Sequence, residues 1–112
     1  MNVLVSVEAK KDIVQIRKYV RDELNNPTAA TRIISLMKKT VQSLAEMPER
    51  GTPLDSILPV HTEYRFLICE KYVVFYLVTG SSVQVVRILH QLQDFMRILF
   101  NLQPEHSGHS EE

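Results

Sequence analysis

The segment that decides the fold runs from residue 64 to residue 99: YRFLICEKYVVFYLVTGSSVQVVRILHQLQDFMRIL. It contains three runs that are dense in β-branched, aromatic and leucine residues. These runs are Arg65 to Cys69, Tyr72 to Val78 and Val83 to Leu89. The links between them are so short that neighbouring strands have to be antiparallel. The segment therefore predicts three antiparallel strands, followed by a short helix over residues 92–102.

The residues before this segment predict a strand and a helical hairpin. Residues 3–7 favour a first strand. Over residues 8–24, and again from Pro27 to residue 47, apolar side chains recur every three or four positions, which is typical of amphipathic helices. Ser6 and Asn26 are expected to cap these two helices. Residues 48–59 hold three prolines and are expected to form an ordered loop.

The order β-α-α-β-β-β with a short carboxy-terminal helix predicts an α+β fold. We expect a small, twisted, antiparallel-rich sheet with the helical hairpin packed on one face. The other face is expected to stay open and to offer a groove to a partner. We place the domain at residues 1–102 and expect the polar tail, residues 103–112, to be disordered.

Length and composition are those of one ordinary globular domain, with 112 residues, 45% of them apolar. Cys69 is the single cysteine, so neither an intramolecular disulfide nor a cysteine-based metal knuckle can form. We expect no cofactor and no metal. No stretch reads as a secretory signal or a membrane span, so a cytoplasmic protein is expected.

The formal net charge of zero hides a weak asymmetry. Three glutamates lie in the tail, so residues 1–100 carry 13 Lys and Arg against 10 Asp and Glu, a charge of +3. That is well short of the basic surface of a nucleic-acid-binding protein. It argues mildly against a partner held mainly through phosphates.

Three stretches carry a family resemblance. They are residues 24–30 (LNNPTAA), residues 44–51 (LAEMPERG) and a sheet signature of YRFLI, YVVFY and VVRILH followed by Asp94. In order and spacing they resemble the RelE/ParE superfamily of toxins from bacterial toxin–antitoxin pairs, across everything except the polar tail. RelE-like members cut messenger RNA in the ribosomal A site, and ParE-like members poison DNA gyrase. The resemblance implies a cognate antitoxin as partner and no membrane partner. Two assemblies stay open, a homodimer of the toxin and a toxin–antitoxin heterocomplex.

The resemblance also implies a site on the sheet. The candidate catalytic residues are Arg65, Arg87 and His90. The candidate partner contacts are Tyr72, Tyr76 and Asp94. Metal-free RNA cleavage needs a base, a cation and an acid. This chain has few of the basic residues that such chemistry needs, because Val73, Gln91 and Gln93 stand where RelE-like members usually have arginine.

Structural explanations exist for the same residues. Arg65 and Arg87 could pair with acidic residues of neighbouring strands. His90 could form a hydrogen bond with Asp94 that starts the last helix. The tyrosines could be core or interface packing. Strict alternation along a strand also puts Arg87 and His90 on opposite faces, unless the strand bends.

Three functions remain open from the sequence. The favoured one is a ParE-like toxin that inhibits growth by binding an essential target such as DNA gyrase. The second is a RelE-like, ribosome-dependent mRNA endonuclease with a reduced site. The third is a non-toxic chain that binds an antitoxin or regulates its operon. The near-neutral charge and the thin basic set favour the first.

Overall fold

The computed structural model describes residues 1–59 and 61–100, and it has the predicted α+β architecture. Its elements in chain order are β1 (Asn2–Val5), α1 (Val7–Lys18), a π-helix (Tyr19–Glu23), α2 (Pro27–Ser43), β2 (Thr52–Pro53), a 3-10 helix (Leu54–Ser56), β3 (Arg65–Cys69), β4 (Tyr72–Thr79), β5 (Ser82–His90) and α3 (Phe95–Phe100). Within these two ranges, no helix has the length and hydropathy needed to cross a membrane. The predicted tail and the predicted end of the last helix lie outside the described residues.

Both long helices have the cap residues that the sequence predicts. The first amide groups of a helix lack a partner within it, and a side-chain oxygen can supply one. Oγ of Ser6 accepts a hydrogen bond from N of Ala9 at 3.0 Å. Oδ1 of Asn26 accepts one from N of Ala29 at 3.0 Å, and Pro27 opens α2. The predictions of both caps are confirmed.

The first helix changes character before it reaches the hairpin turn. The regular α-helix ends at Lys18, and the chain continues as a π-helix to Glu23. Asn25 then adopts a positive φ of 51°, a conformation that asparagine tolerates better than most residues. The predicted single helix over residues 8–24 is therefore an α-helix followed by one wider turn.

The five strands form one sheet in the order β1-β5-β4-β3-β2. β3, β4 and β5 are antiparallel neighbours, as predicted. β1 lies parallel to β5, with Asn2 opposite Ser82 and Val5 opposite Val85. The sequence does not predict β2, because its two residues are too few to show an alternating pattern.

β5 contains a bulge at Val86. Phe75 of β4 lies opposite Arg87, whereas the next residue, Tyr76, lies opposite Val85. The extra residue shifts the alternation of side chains along β5. As a result Val85 and Ile88, three positions apart, both enter the core on the helical side of the sheet.

Apolar side chains cover both faces of the sheet. On one face α2 contributes Met37 to a core that includes Tyr76 of β4. On the other face the 3-10 helix and α3 pack over a second cluster, where the rings of Phe75 and Phe95 lie 5.3 Å apart. The expectation that this face stays open is wrong, because β4 and β5 are apolar on both sides and each side needs a cover. A groove lined by Phe66, Ile68 and Phe95 is nevertheless present on it.

Candidate functional site

An ion pair joins Asp12 of α1 to Arg87 of β5. Nε of Arg87 donates to Oδ2 of Asp12 at 2.8 Å, and Nη2 donates to Oδ1 at 2.9 Å. The backbone N of Ile88 donates to the same Oδ2 at 2.9 Å. The side chain of Asp12 is only 9% exposed, so these bonds compensate for its lost hydration. The hydrogen bond to Asp12 raises the pKa of Arg87 above its ordinary value, which keeps the guanidinium charged.

The start of α1 explains why Asp12 reaches this place. β1 leaves the sheet after Val5, so within the described part of the chain the edge of β5 is vacant beyond Val85. Ser6 fixes this departure, since its N donates to the carbonyl of Val85 at 2.9 Å and its Oγ to that of Val86 at 2.7 Å. α1 then follows the vacant edge, and the carboxylate of Asp12 takes the place of a strand carbonyl.

Beside the ion pair lies a cavity of about 450 Å³, which we call the α1–β5 cleft. It lies between Asp12, Gln15 and Tyr19 on one side and Tyr72, His90 and Leu92 on the other. The rings of Tyr72 and His90 pack edge to face, with centroids 5.4 Å apart and an interplanar angle of 87°. The π-helix supplies Tyr19, and π-helical turns occur frequently at functional sites. A cavity of this size and mixed lining is typical of ligand sites.

His90 lies within β5, and the turn that follows holds its ring. Its N donates to Oε1 of Gln93 at 2.8 Å, and its Nδ1 accepts from N of Leu92 at 3.1 Å. In the neutral ring the proton therefore sits on Nε2. The predicted hydrogen bond between His90 and Asp94 does not start α3. Oδ1 of Asp94 instead accepts a hydrogen bond from N of Arg97 at 3.3 Å.

The structure brings two of the three candidate catalytic residues together. Arg87 and His90 line the same cleft, because the vacant edge of β5 lets the long side chain of Arg87 reach α1. Arg65 lies elsewhere, where its Nη1 donates to the carbonyl oxygens of Gly51 at 2.7 Å and Glu49 at 3.3 Å. The structural explanation expects both arginines to pair with acidic residues of neighbouring strands. Neither does, because Arg65 binds backbone carbonyls and Arg87 binds Asp12 of α1.

The three candidate partner contacts occupy different environments. Tyr72 lines the cleft and is 7% exposed, and the side chain of Asp94 is 54% exposed. Tyr76 is completely buried, and its hydroxyl accepts a hydrogen bond from N of Gly51 at 2.8 Å. Burial raises the pKa of Tyr76. A direct partner contact at Tyr76 is incompatible with this placement, because the ring fills the core between the sheet and α2.

The sequence interpretation misses Asp12, although a signal for it exists. Ala9, Asp12, Ile16 and Val20 follow one another at spacings of three or four residues, so Asp12 stands within the apolar stripe of α1. A carboxylate in such a stripe is buried when the helix packs and has to find a partner. The sequence does not say which cation that partner is.

Known proteins resemble the chain over most of its length. The family model for the ParE toxin of the type II toxin–antitoxin system parDE matches residues 3–95. Toxin RelE1 of Caulobacter vibrioides is 37% identical over 92 residues, which cover 81% of this chain and 94% of that protein. Toxin RelE2 of the same organism is 35% identical over 82 residues, which cover 73% and 85%.

A solved structure shows the same fold. It belongs to the chromosomal ParDE TA system from P. aeruginosa and matches with a TM-score of 0.67 at 22% identity, over 80% of this chain and 95% of that one. The predicted superfamily is confirmed. Because the family model and the relative RelE1 both match most of the chain, the chain belongs to the ParE toxin family of type II toxin–antitoxin systems.

Proposed function

We propose that the protein is a ParE-like toxin that inhibits growth by binding an essential protein target, such as DNA gyrase, and that it cleaves no RNA. Membership in the family implies a cognate antitoxin as its neutralising partner. The observation that carries the proposal is the pairing of Arg87, whose Nε and Nη2 are both bound to the carboxylate of Asp12.

Occupied donors make Arg87 a poor catalyst for RNA cleavage. An arginine that stabilises a phosphorane has to direct its N–H groups at the reacting phosphate. The carboxylate of Asp12 takes two of those groups and offsets the positive charge that would attract RNA. Arg65 is directed at backbone carbonyls instead. Among the described residues that line the cleft, His90 then has no cation beside it other than the paired Arg87.

A supercoiling assay tests the proposal directly. Purified toxin is titrated into gyrase, ATP and relaxed plasmid, and the DNA is examined before and after detergent and protease treatment. We expect supercoiling to stop and linear DNA to accumulate after treatment. Adding the antitoxin from the neighbouring gene should restore supercoiling. Full supercoiling at saturating toxin would reject gyrase as the target.

A RelE-like endonuclease is the second candidate function. Its support is that two relatives carry the name RelE and that His90 and Arg87 share a cleft. Primer extension on cellular mRNA after induction should then reveal codon-spaced cuts. His90→Gln is the sharper test variant, because Arg87→Ala would also break the ion pair with Asp12. Cuts that disappear in His90→Gln would establish this function and overturn the first.

A growth test separates both functions from the third, a chain without toxicity. The toxin is induced with and without the neighbouring antitoxin gene. Growth arrest only in the absence of the antitoxin is expected. Unimpaired growth of both strains, with full-length protein present, would instead support a chain that only binds the antitoxin or regulates the operon.

A further inference from the structure

Exposed apolar side chains mark the mouth of the α1–β5 cleft. Leu92 is 84% exposed, the highest value among the large hydrophobic residues of the described ranges. Tyr19 is 49% exposed and lines the same cleft. Scattered exposed apolar residues need no explanation, but a group beside a cavity is typical of protein contact sites.

The interior of the cleft has unused hydrogen-bonding capacity. Tyr72 is 7% exposed, and within residues 1–59 and 61–100 its hydroxyl has no hydrogen-bond partner. Burial raises the pKa of Tyr72, with smaller contributions from Tyr19 and Glu70. Because Tyr72 lines the cleft, its hydroxyl can form a hydrogen bond with a polar atom of a ligand there.

The charges around the cleft disfavour an anionic ligand. Asp12 neutralises Arg87, and Glu8 lies close enough to raise the pKa of Arg87 as well. Two carboxylates near one guanidinium would repel a phosphate. Gln15 and Gln93, which also line the cleft, offer neutral amide groups. The electrostatics therefore disfavour an anionic ligand, and the amide groups can bind an uncharged one.

The walls and the size of the cleft fit an aromatic ring. Tyr72 and His90 present packed rings, and Ile16 and Ile88 add apolar surface. The volume of about 450 Å³ accommodates one aromatic side chain with its polar atom. Tyrosine and tryptophan are the usual anchors at protein interfaces, because they join a large apolar body to one hydrogen-bonding group.

We propose that the α1–β5 cleft is an anchor pocket, in which the toxin's protein target inserts a tyrosine or tryptophan side chain that hydrogen-bonds to the hydroxyl of Tyr72. Leu92 and Tyr19 then pack around the base of the inserted ring. This inference rests on the proposed function, since it names how the protein target is held.

The pocket is tested first with N-acetyltryptophanamide and the full chain. The protein contains no tryptophan, so indole fluorescence reports the probe alone. We expect saturable binding, with NMR shift changes centred on the cleft. Tyr72→Phe removes only the hydroxyl and should weaken binding roughly threefold to tenfold. Ile68→Ala is the matched control, because Ile68 is 67% exposed and lines a different groove.

Two outcomes of this titration would overturn the inference. One is the absence of saturable binding, or shift changes that fall outside the cleft. The other is stronger displacement of the probe by adenosine than by N-acetyltyrosinamide, which would make a nucleic-acid base the better occupant. Equal binding of the probe by wild type and Tyr72→Phe would contradict the proposed hydrogen bond to the hydroxyl.

The supercoiling assay then separates this inference from the proposed function. Leu92→Ala, a change at a surface position, should raise the toxin concentration needed for inhibition roughly tenfold. Ile68→Ala should match wild type. Undiminished inhibition by both Leu92→Ala and Tyr72→Phe refutes the pocket and leaves the function standing. A wild-type toxin that binds the probe but leaves supercoiling untouched rejects gyrase as the target instead, and the growth test then decides whether the chain is toxic.

Discussion

Replacement of Asp12 by alanine should strongly destabilise the protein. The carboxylate accepts three hydrogen bonds, two from Arg87 and one from the amide of Ile88. Its removal leaves that amide unpaired and the guanidinium without its hydrogen-bonded carboxylate. Breaking a buried ion pair from one side costs about 3–5 kcal/mol. Since the side chain of Arg87 is 26% exposed and water can partly replace the lost partner, we expect the lower end, about 3 kcal/mol.

Companion variants identify the origin of this loss. Asp12→Asn keeps the shape and one oxygen acceptor and should cost less than alanine. Asp12→Ala combined with Arg87→Met should recover much of the stability, because apolar replacement of a buried pair is often neutral or stabilising. Asp22→Ala is the matched surface control, as Asp22 pairs with Arg21 where both side chains are nearly half exposed.

Urea unfolding followed by far-ultraviolet circular dichroism gives the free energy of unfolding of each variant. The midpoint should fall for Asp12→Ala while the slope with denaturant stays the same. A loss for Asp12→Ala no larger than that for Asp22→Ala would refute the structural role of the ion pair. No recovery in the double variant would show that the unpaired amide, and not the unpaired charge, dominates the loss.

Local geometry also predicts the effects of two substitutions and the reactivity of one thiol. Gly51→Ala would place a Cβ 2.6 Å from Oη of Tyr76, so we expect a loss of about 2–3 kcal/mol in the same urea assay, and an unchanged midpoint would contradict the packing. Ser6→Ala removes the cap of α1 and a bond to a carbonyl of β5, and its thermal midpoint should fall by the equivalent of about 1–2 kcal/mol. Cys69 is 3% exposed and burial raises its pKa, so iodoacetamide should label it far more slowly in native protein than in urea; equal rates by mass spectrometry would refute its burial.

Local signals account for the parts of the fold that the sequence predicts well. The caps Ser6 and Asn26 act on amides within three residues, so their chemistry is visible in a short window. The bounds of β3 agree with the prediction residue for residue, since its strand pattern is interrupted at once by the turn at Glu70. Predictions of this kind need no knowledge of what packs where.

Long-range pairings account for the parts that the sequence does not predict. Arg87 is recognised as a functional candidate, but its partner Asp12 lies 75 residues away and no spacing rule links them. The bulge at Val86 breaks the period on which the assignment of faces depends. Tyr76 is predicted from the sequence to contact a partner, but in the assembled sheet its ring is part of the core.

The parallel pairing of β1 with β5 determines how late in synthesis the sheet can be completed. Residues 2–5 find their partners only when residues 82–85 have been made, some 80 residues later. At synthesis rates of roughly 5–20 residues per second, about 4–16 seconds pass between the synthesis of β1 and that of its partner residues in β5. The ion pair between Asp12 and Arg87 can form only after a similar delay, and so can the α1–β5 cleft. A chain that ends before Arg87 therefore lacks both the ion pair and the complete cleft.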